Sequence, residues 1–348
     1  MKIRWSICLL SMMLLVVMLC ACGATGNPEP EKTMPISAAE VTPKLTPTPT
    51  PKPTSVLRSY TTGIPITEQK IYKPVGVMIE NSSAARPQYG LQAADIIYEA
   101  PVEGCTRLFC IYNDTLPEKV GPVRSARLYF IKIQQEWDSA YVHFGGPESG
   151  QANVYLDSSN HIKTRINFIK GDFNDYYWRD KDKKAPHNAF TDVQKCQELM
   201  KEESKVRTFQ YADTLQYSGN GFSEVVLPFY SGEVTYKYNA QQDVLERYME
   251  RKAFTDAATG DVVSVKNLIV QYNSFSHGDE AKGRWMCQLL GTGKADFFVG
   301  GQHIQGTWER QSYETPTIYK DSAGKEIILL PGNTWIAIHP DDKSITVK

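Results

Sequence analysis

Hydrophobic positions divide the chain into four stretches of different character. Ile7 to Leu19 is an apolar run broken only by Ser11, and Lys2 and Arg4 precede it. A lone membrane-crossing helix needs roughly 20 apolar residues. A shorter run with a basic start and small residues at its end predicts a signal peptide over 1–22 instead. From Gly23 to about Tyr60 the periodicity disappears. Asn27-Pro28-Glu29-Pro30 and Leu45-Thr46-Pro47-Thr48-Pro49-Thr50-Pro51-Lys52-Pro53 alternate proline with polar residues. Proline at that density blocks helix and central strand and favours an extended chain, so 23–60 is expected to be a disordered Thr/Pro-rich stalk. Fully extended at roughly 3.1 Å per residue, it reaches up to about 100 Å.

Regular patterning begins near Thr61. Lys73–Asn81, Asp95–Glu99 and Thr106–Tyr112 read as strands, and the last two are apolar on both faces, as in a covered sheet. Ala126, Phe130, Ile133 and Trp137 recur at three- and four-residue spacing and predict a helix that starts at Pro122. Ala140–Phe144 is a further strand, stopped by Gly145-Gly146-Pro147. A second helix is expected near Thr191, where Thr191 and Gln194 suggest a capping box and Val193, Cys196 and Met200 a buried side. Strands alternating with helices over 61–206 predict an α/β sandwich domain. From 222 to 348 the pattern changes to short strands separated by turns. Val234–Tyr238, Val244–Tyr248, Leu268–Tyr272, Ala295–Val299 and Thr334–Ile338 are the clearest. That spacing predicts a mostly antiparallel all-β domain, which makes the whole an α+β protein.

Composition narrows the function. The 348 residues are 41% hydrophobic and 22% charged, ordinary for a globular chain. The formal net charge of -1 argues against nucleic acid as a partner, which needs a basic face. Beyond the signal region the cysteines are Cys105, Cys110, Cys196 and Cys287. Cys105 and Cys110 are five apart on one strand and face opposite sides, so they are poorly placed to bridge. No Cys or His spacing matches a zinc site, and no metal or cofactor is expected.

Two resemblances follow from specific residues. Leu19-Cys20-Ala21-Cys22-Gly23 resembles the bacterial lipobox, with Leu three before the modified cysteine and a small residue one before. Cys22 fits that pattern and Cys20 does not. The resemblance implies a diacylglycerol on the Cys22 thiol and a body held on the extracytoplasmic face of the cell membrane. The second resemblance rests on Arg86-Pro87-Gln88, Ala94-Asp95-Ile96-Ile97-Tyr98-Glu99, Val120-Gly121-Pro122-Val123-Arg124-Ser125-Ala126-Arg127, His143 with Gly145-Gly146, and Ala185-Pro186-His187-Asn188. Gly283-Arg284, Gly306-Thr307-Trp308, Pro331-Gly332 and Thr334-Trp335-Ile336 extend it to the C-terminal part. Together they resemble the YerB-like lipoproteins of Firmicutes, whose two domains are catalogued as of unknown function. Cys105 stands where that family usually has glycine. The resemblance implies architecture and export, and no activity.

Candidate chemistry centres on Gly121–Arg127. A helix beginning at Pro122 would put Arg124 and Arg127 on one face of its first turn, where the helix dipole is already positive. That suits a phosphate or carboxylate ligand, with Arg86 and Arg107 completing the cluster. The alternative is that Glu99 and Glu103 neutralise these arginines internally. His143 and His187 sit at element ends beside turn residues and are candidate acid–base groups. The favoured reading is a histidine satisfied by local backbone, or for His187-Asn188 a cap. Tyr176-Tyr177-Trp178-Arg179 reads as a packed lid or a stacking loop.

Three functions remain open on the sequence. The first is a non-catalytic envelope module that binds an anionic cell-wall component or a cell-wall-synthesis protein. The second is an enzyme on a phosphate-bearing envelope substrate, since Asp95 on a strand followed by arginines is similar to the layout of LytR-CpsA-Psr transferases. The Arg-Asp pair of that layout is missing, because Leu128 follows Arg127. The third is a solute-binding lipoprotein, which two dissimilar domains disfavour.

Overall fold

The computed structural model describes residues 56–146, 162–278 and 284–348. Cys22, the signal region and nearly all of the stalk lie outside them. The described residues fall in one unit, Thr54–Lys348. Strands dominate and helices are few.

The first half supplies β1 (Val75–Glu80), β2 (Ile96–Val102), β3 (Cys105–Tyr112), α1 (Leu128–Trp137), β4 (Ala140–His143), β5 (Arg165–Asn167) and α2 (Val193–Glu198). The second half supplies β6 (Glu224–Phe229), β7 (Gly232–Asn239), β8 (Val244–Met249), β9 (Asn267–Asn273) and β10 (Gly291–Val299). It continues through β11 (Gln302–Arg310), β12 (Ile318–Asp321), β13 (Thr334–Pro340) and β14 (Thr346–Val347). Shorter strands of two or three residues connect these.

The two halves meet inside one eleven-stranded sheet, in the order β12-β11-β10-β9-β13-β2-β3-β1-β4-β5, with Asn220–Gly221 added beside β11. At the join, β13 lies parallel to β2, pairing Ile96 with Thr334 and Glu99 with Ala337. The sequence boundary between 206 and 222 is therefore not a boundary between separate sheets. An α/β sandwich followed by its own all-β body is not the arrangement seen, and β9 runs parallel to β13. The reason is on the strands themselves. β2 and β13 are buried along their whole length, so each needs a neighbour on both edges.

Each face of this sheet carries a core. On one face Met78, Phe109, Phe297 and Ile336 pack with Phe130, Ile133 and Trp137 of α1. On the other, Val77, Leu108, Leu268 and Trp335 pack with Leu227, Tyr236 and Leu245 of a second sheet. That six-stranded antiparallel sheet contains β8, β7, β6 and β14. Its strands β6 and β8 alternate buried and half-buried residues, the pattern of a sheet covered on one face.

The helix ends depart from expectation. α1 buries the predicted stripe but begins at Leu128, and Asp138 ends it in the left-handed conformation. α2 is capped by Asp192, which accepts from the Lys195 N–H, while Thr191 belongs to the strand Ala189–Thr191. The Thr191–Gln194 capping box does not form. Thr191 Oγ1 instead donates to the Tyr176 carbonyl at 2.7 Å. Trp335 and Trp308 are buried, and Trp285 is half-buried against Tyr230 and His277.

Candidate functional site

β1 and β4 are parallel and pair only from Val75 with Ala140 to Val77 with Val142. Beyond that point they diverge, and residues 122–126 run between them. The Glu80 N–H donates to Pro122 O (2.9 Å) and the Arg124 N–H to Met78 O (2.8 Å). On the other side, the Phe144 N–H donates to Arg124 O (3.0 Å) and the Ala126 N–H to Gly145 O (3.1 Å). The carboxyl-end crevice between parallel strands is a common ligand position in open sheets. Here it is filled by a segment that carries arginine and pairs with both strands.

This geometry corrects the helix reading of 121–127. Pro122 follows a cis peptide bond and does not open a helix. Arg127 takes the N-cap position in extended conformation and provides no side-chain cap. Arg124 and Arg127 therefore do not share a first turn, and the helix-dipole argument does not reach Arg124. Backbone pairing decided the outcome, because the divergence of β4 leaves the end of β1 without partners that only another extended segment can supply.

The charges around the crevice are partly matched. Arg127 Nη2 lies 2.6 Å from Glu103 Oε2, and Arg284 Nε is 3.7 Å from Glu103 Oε1. Burial alone raises the Glu103 carboxyl pKa, but the Arg127 hydrogen bond and charge outweigh it and hold it below its ordinary value. Glu99 is not a partner of this group. It points to the opposite face, where Arg247 Nη2 binds it at 2.8 Å. The carboxylate that does belong here is Glu80, which sequence reading missed. Its Oε2 lies 3.6 Å from Arg124 Nε and 2.9 Å from His187 Nδ1, and its Oε1 accepts from Ser82 Oγ. The available signal was a single charge closing an otherwise apolar strand at its carboxyl end.

Arg86 reaches the rim through Nη2, which donates to Asn81 O at 2.9 Å, and its Nη1 is 3.6 Å from Glu250. Arg107 sits opposite Glu80 in the β1–β3 register and is 6% exposed. Its Nη1 donates to Ser125 O at 2.9 Å, and among the described residues no carboxylate lies within ion-pair distance. Burial, reinforced by the nearby Arg127, pushes its guanidinium down to about 10. Among the described residues, Glu80 Oε2, Arg86 Nε, Arg107 Nε, Arg124 Nε and His187 Nδ1 are all buried without an aligned hydrogen bond. The 2.9 Å His187–Glu80 approach is thus close but off-line.

The two histidines differ. His143 is fully buried. Its Nδ1 lies 2.6 Å from Gly145 O, and its Nε2 accepts from Arg165 Nε at 3.2 Å. Burial pushes its imidazole down to about 3, so it stays neutral. This is the backbone-satisfied alternative of the two sequence readings. His187 is partly exposed and faces Glu80. Asn188 does not cap a helix, since its Oδ1 accepts from Arg179 Nη1 at 2.8 Å. In the aromatic loop, Tyr177 stacks on Phe168 and Arg179 covers Phe144, while Trp178 remains exposed.

His143 gives a pH expectation. Its folded pKa lies below the ordinary value of about 6.5. The unfolded chain therefore binds the extra proton first, and stability is lost as pH falls from about 6.5 towards 3. Asp95, raised to about 7 by burial and Asp114, contributes the opposite slope between about 4 and 7. The test is the difference between wild type and His143→Gln in urea unfolding across that range. The substitution should remove the acid-side loss, and parallel curves would refute the assignment.

Asp95 itself is far from the arginines. It is held by Thr61 Oγ1 (2.7 Å) and the Asn113 and Asp114 N–H groups. Asp95 precedes β2, whereas Arg107 pairs with Ala100 further along it. At about 3.3 Å per residue that is roughly 16 Å.

Residues 61–207 match the N-terminal domain of a family described as protein of unknown function DUF3048, and 225–336 match its C-terminal domain. The chain is 34% identical over 301 residues to "Putative lipoprotein YerB" of Bacillus subtilis (strain 168), covering 82% of this chain and 87% of that protein. It is also similar to the crystal structure of YerB protein from Bacillus subtilis. The TM-score is 0.73 at 30% identity, over 84% of this chain and 99% of the other.

Proposed function

Since this chain belongs to the YerB-like family built from the two DUF3048 domains, we propose that it is a lipid-anchored, extracytoplasmic, non-catalytic module that binds an anionic cell-wall component. The anchor in this reading is a diacylglycerol on Cys22, and the Pro-rich segment is the tether. Support comes from the lipobox-like Leu19–Cys22 and from the name of the Bacillus relative.

The binding reading rests on one observation. Arg107 is a buried guanidinium with no carboxylate partner among the described residues, beside Arg124 and Arg127, whose Glu80 and Glu103 are also approached by His187 and Arg284. Such a group has more donors than acceptors, and buried donors require acceptors. A phosphate or carboxylate supplies several at once and offsets the excess charge. The acid–base alternative loses support, because His143 is engaged at both nitrogens and Asp95 is remote.

The test compares binding of the full chain to purified cell-wall sacculi with and without their anionic polymer. Wild type should favour the intact sacculi. The Arg124→Ala, Arg127→Ala double variant should lose at least about tenfold in affinity, the worth of a charge-assisted hydrogen bond. Unchanged binding with a lowered melting temperature would instead identify the arginines as an internal ion-pair group.

A further inference from the structure

We propose a second binding site, for a neutral oligosaccharide, in the cleft between the end of β9, the β10–β11 hairpin and the C-terminal tail. The cleft has a volume of about 690 Å³. That lies within the roughly 300–1,000 Å³ common for small-molecule sites. Its floor belongs to the large sheet and its roof to residues 341–347, so it opens between the two sheets. It shares no residue with the arginine-lined crevice, and the inference does not depend on what that crevice binds.

The centre of the floor is a fixed carboxylate. Asp296 Oδ2 accepts from the Tyr272 hydroxyl at 2.6 Å, and its Oδ1 lies 2.7 Å from His303 Nε2. His303 is itself stacked on Phe298, ring centroids 4.6 Å apart. Burial alone would raise the Asp296 carboxyl, but the His303 and Tyr272 bonds outweigh it and keep it ionised. Gln305 also hydrogen-bonds this carboxylate. Orientation by three side chains leaves the remaining lone-pair capacity of the carboxylate in a set direction, and that is how a site reads hydroxyl groups rather than bulk charge.

Two further observations describe the ligand. Asn273 lines the cleft with a buried Oδ1 that has no donor among the described residues, while its Nδ2 donates to Gln288 O at 2.7 Å. A buried acceptor of this kind calls for an incoming N–H or O–H. The charged groups on the lining are Asp296 and Asp341 against Lys294 and Lys343, a balanced set. A charged ligand would leave one sign unmatched. A neutral ligand whose every group both donates and accepts fits carboxylate, amide and ammonium together. Sugar hydroxyls have that property, and an N-acetyl N–H suits the Asn273 acceptor.

The experiment titrates the full chain with N,N′,N″-triacetylchitotriose, maltotriose and cellotriose, read by saturation-transfer NMR and tryptophan fluorescence. At least one should bind with a Kd near or below about 1 mM. Asp296→Asn should weaken it by at least about tenfold. Gln305→Ala removes one hydrogen-bond partner of Asp296 at an exposed position, and should weaken binding with a change in melting temperature of no more than about 2 °C. The Gln305 variant keeps the test valid if Asp296→Asn disturbs folding. Failure of all three sugars to bind, or binding that neither variant weakens, would overturn the proposal.

Discussion

Replacing Arg247 with alanine is expected to lower the unfolding free energy by about 3–5 kcal/mol, the cost of leaving a buried charge without its partner. Arg247 and Glu99 are both fully buried and lie 2.8 Å apart. Arg247 Nη1 also donates to the Tyr236 hydroxyl, and its guanidinium lies over the Trp335 ring at 4.3 Å. Glu99 in turn accepts from Thr106 Oγ1 at 2.7 Å and Trp335 Nε1 at 3.2 Å. Alanine at 247 would strand that carboxylate inside the core. A drop of roughly 10 °C in melting temperature is the expected reading for a chain of this size. The double variant Arg247→Met, Glu99→Leu should recover most of the loss, because apolar pairs of similar volume replace buried ion pairs at little cost. If the single and double variants melt alike, the loss comes from packing around Arg247 and the ion-pair account fails.

The second large effect concerns the two halves. Residues 56–207 expressed alone should fail to unfold cooperatively, although a family domain spans nearly all of that length. Without β13, the β2 edge from Ile96 to Glu99 becomes an open row of backbone groups in a strand of buried residues. Such an edge favours association over folding. The fragment would also expose the face that Leu227, Tyr236 and Leu245 cover. Near-ultraviolet dichroism and urea unfolding decide the matter. A sharp transition with stability near that of the whole chain would show that the halves fold independently, against this expectation. Adding residues 208–348 in trans should restore soluble, ordered protein.

Much of the strand framework was legible because its signal is local. β1, β3, β9 and β13 coincide with apolar or alternating runs that any neighbour would preserve. What escaped were choices settled at a distance. The start of α1 looked well marked by Pro122, yet residues 122–124 were needed beside β1. Asp192 rather than Thr191 caps α2, a one-residue shift that follows from Thr191 being held in a strand. In the candidate site, Arg86, Arg107, Arg124, Arg127, Glu103 and His187 were all visible as residue types. Glu103 was expected as a partner of the arginines and pairs with Arg127, but Glu80 was not, since it is separated from His187 by most of the N-terminal half. Glu99 was assigned to the wrong arginine because its true partner is 148 positions away. One clue was present: Arg247 occupies an inward position in the alternation of β8, where a charge demands an explanation.

The pairing of β2 with β13 also sets the order of events during synthesis. Glu99 and Trp335 touch across 236 positions of sequence. At about 5–20 residues per second, the strand that completes β2 follows it by on the order of ten seconds or longer. Throughout that interval the middle of the future sheet is an edge, and contacts of such long range also slow the folding that follows. The central strand of the finished molecule is thus among the last to be closed, and the nascent chain depends on being shielded until its C-terminal segment has arrived.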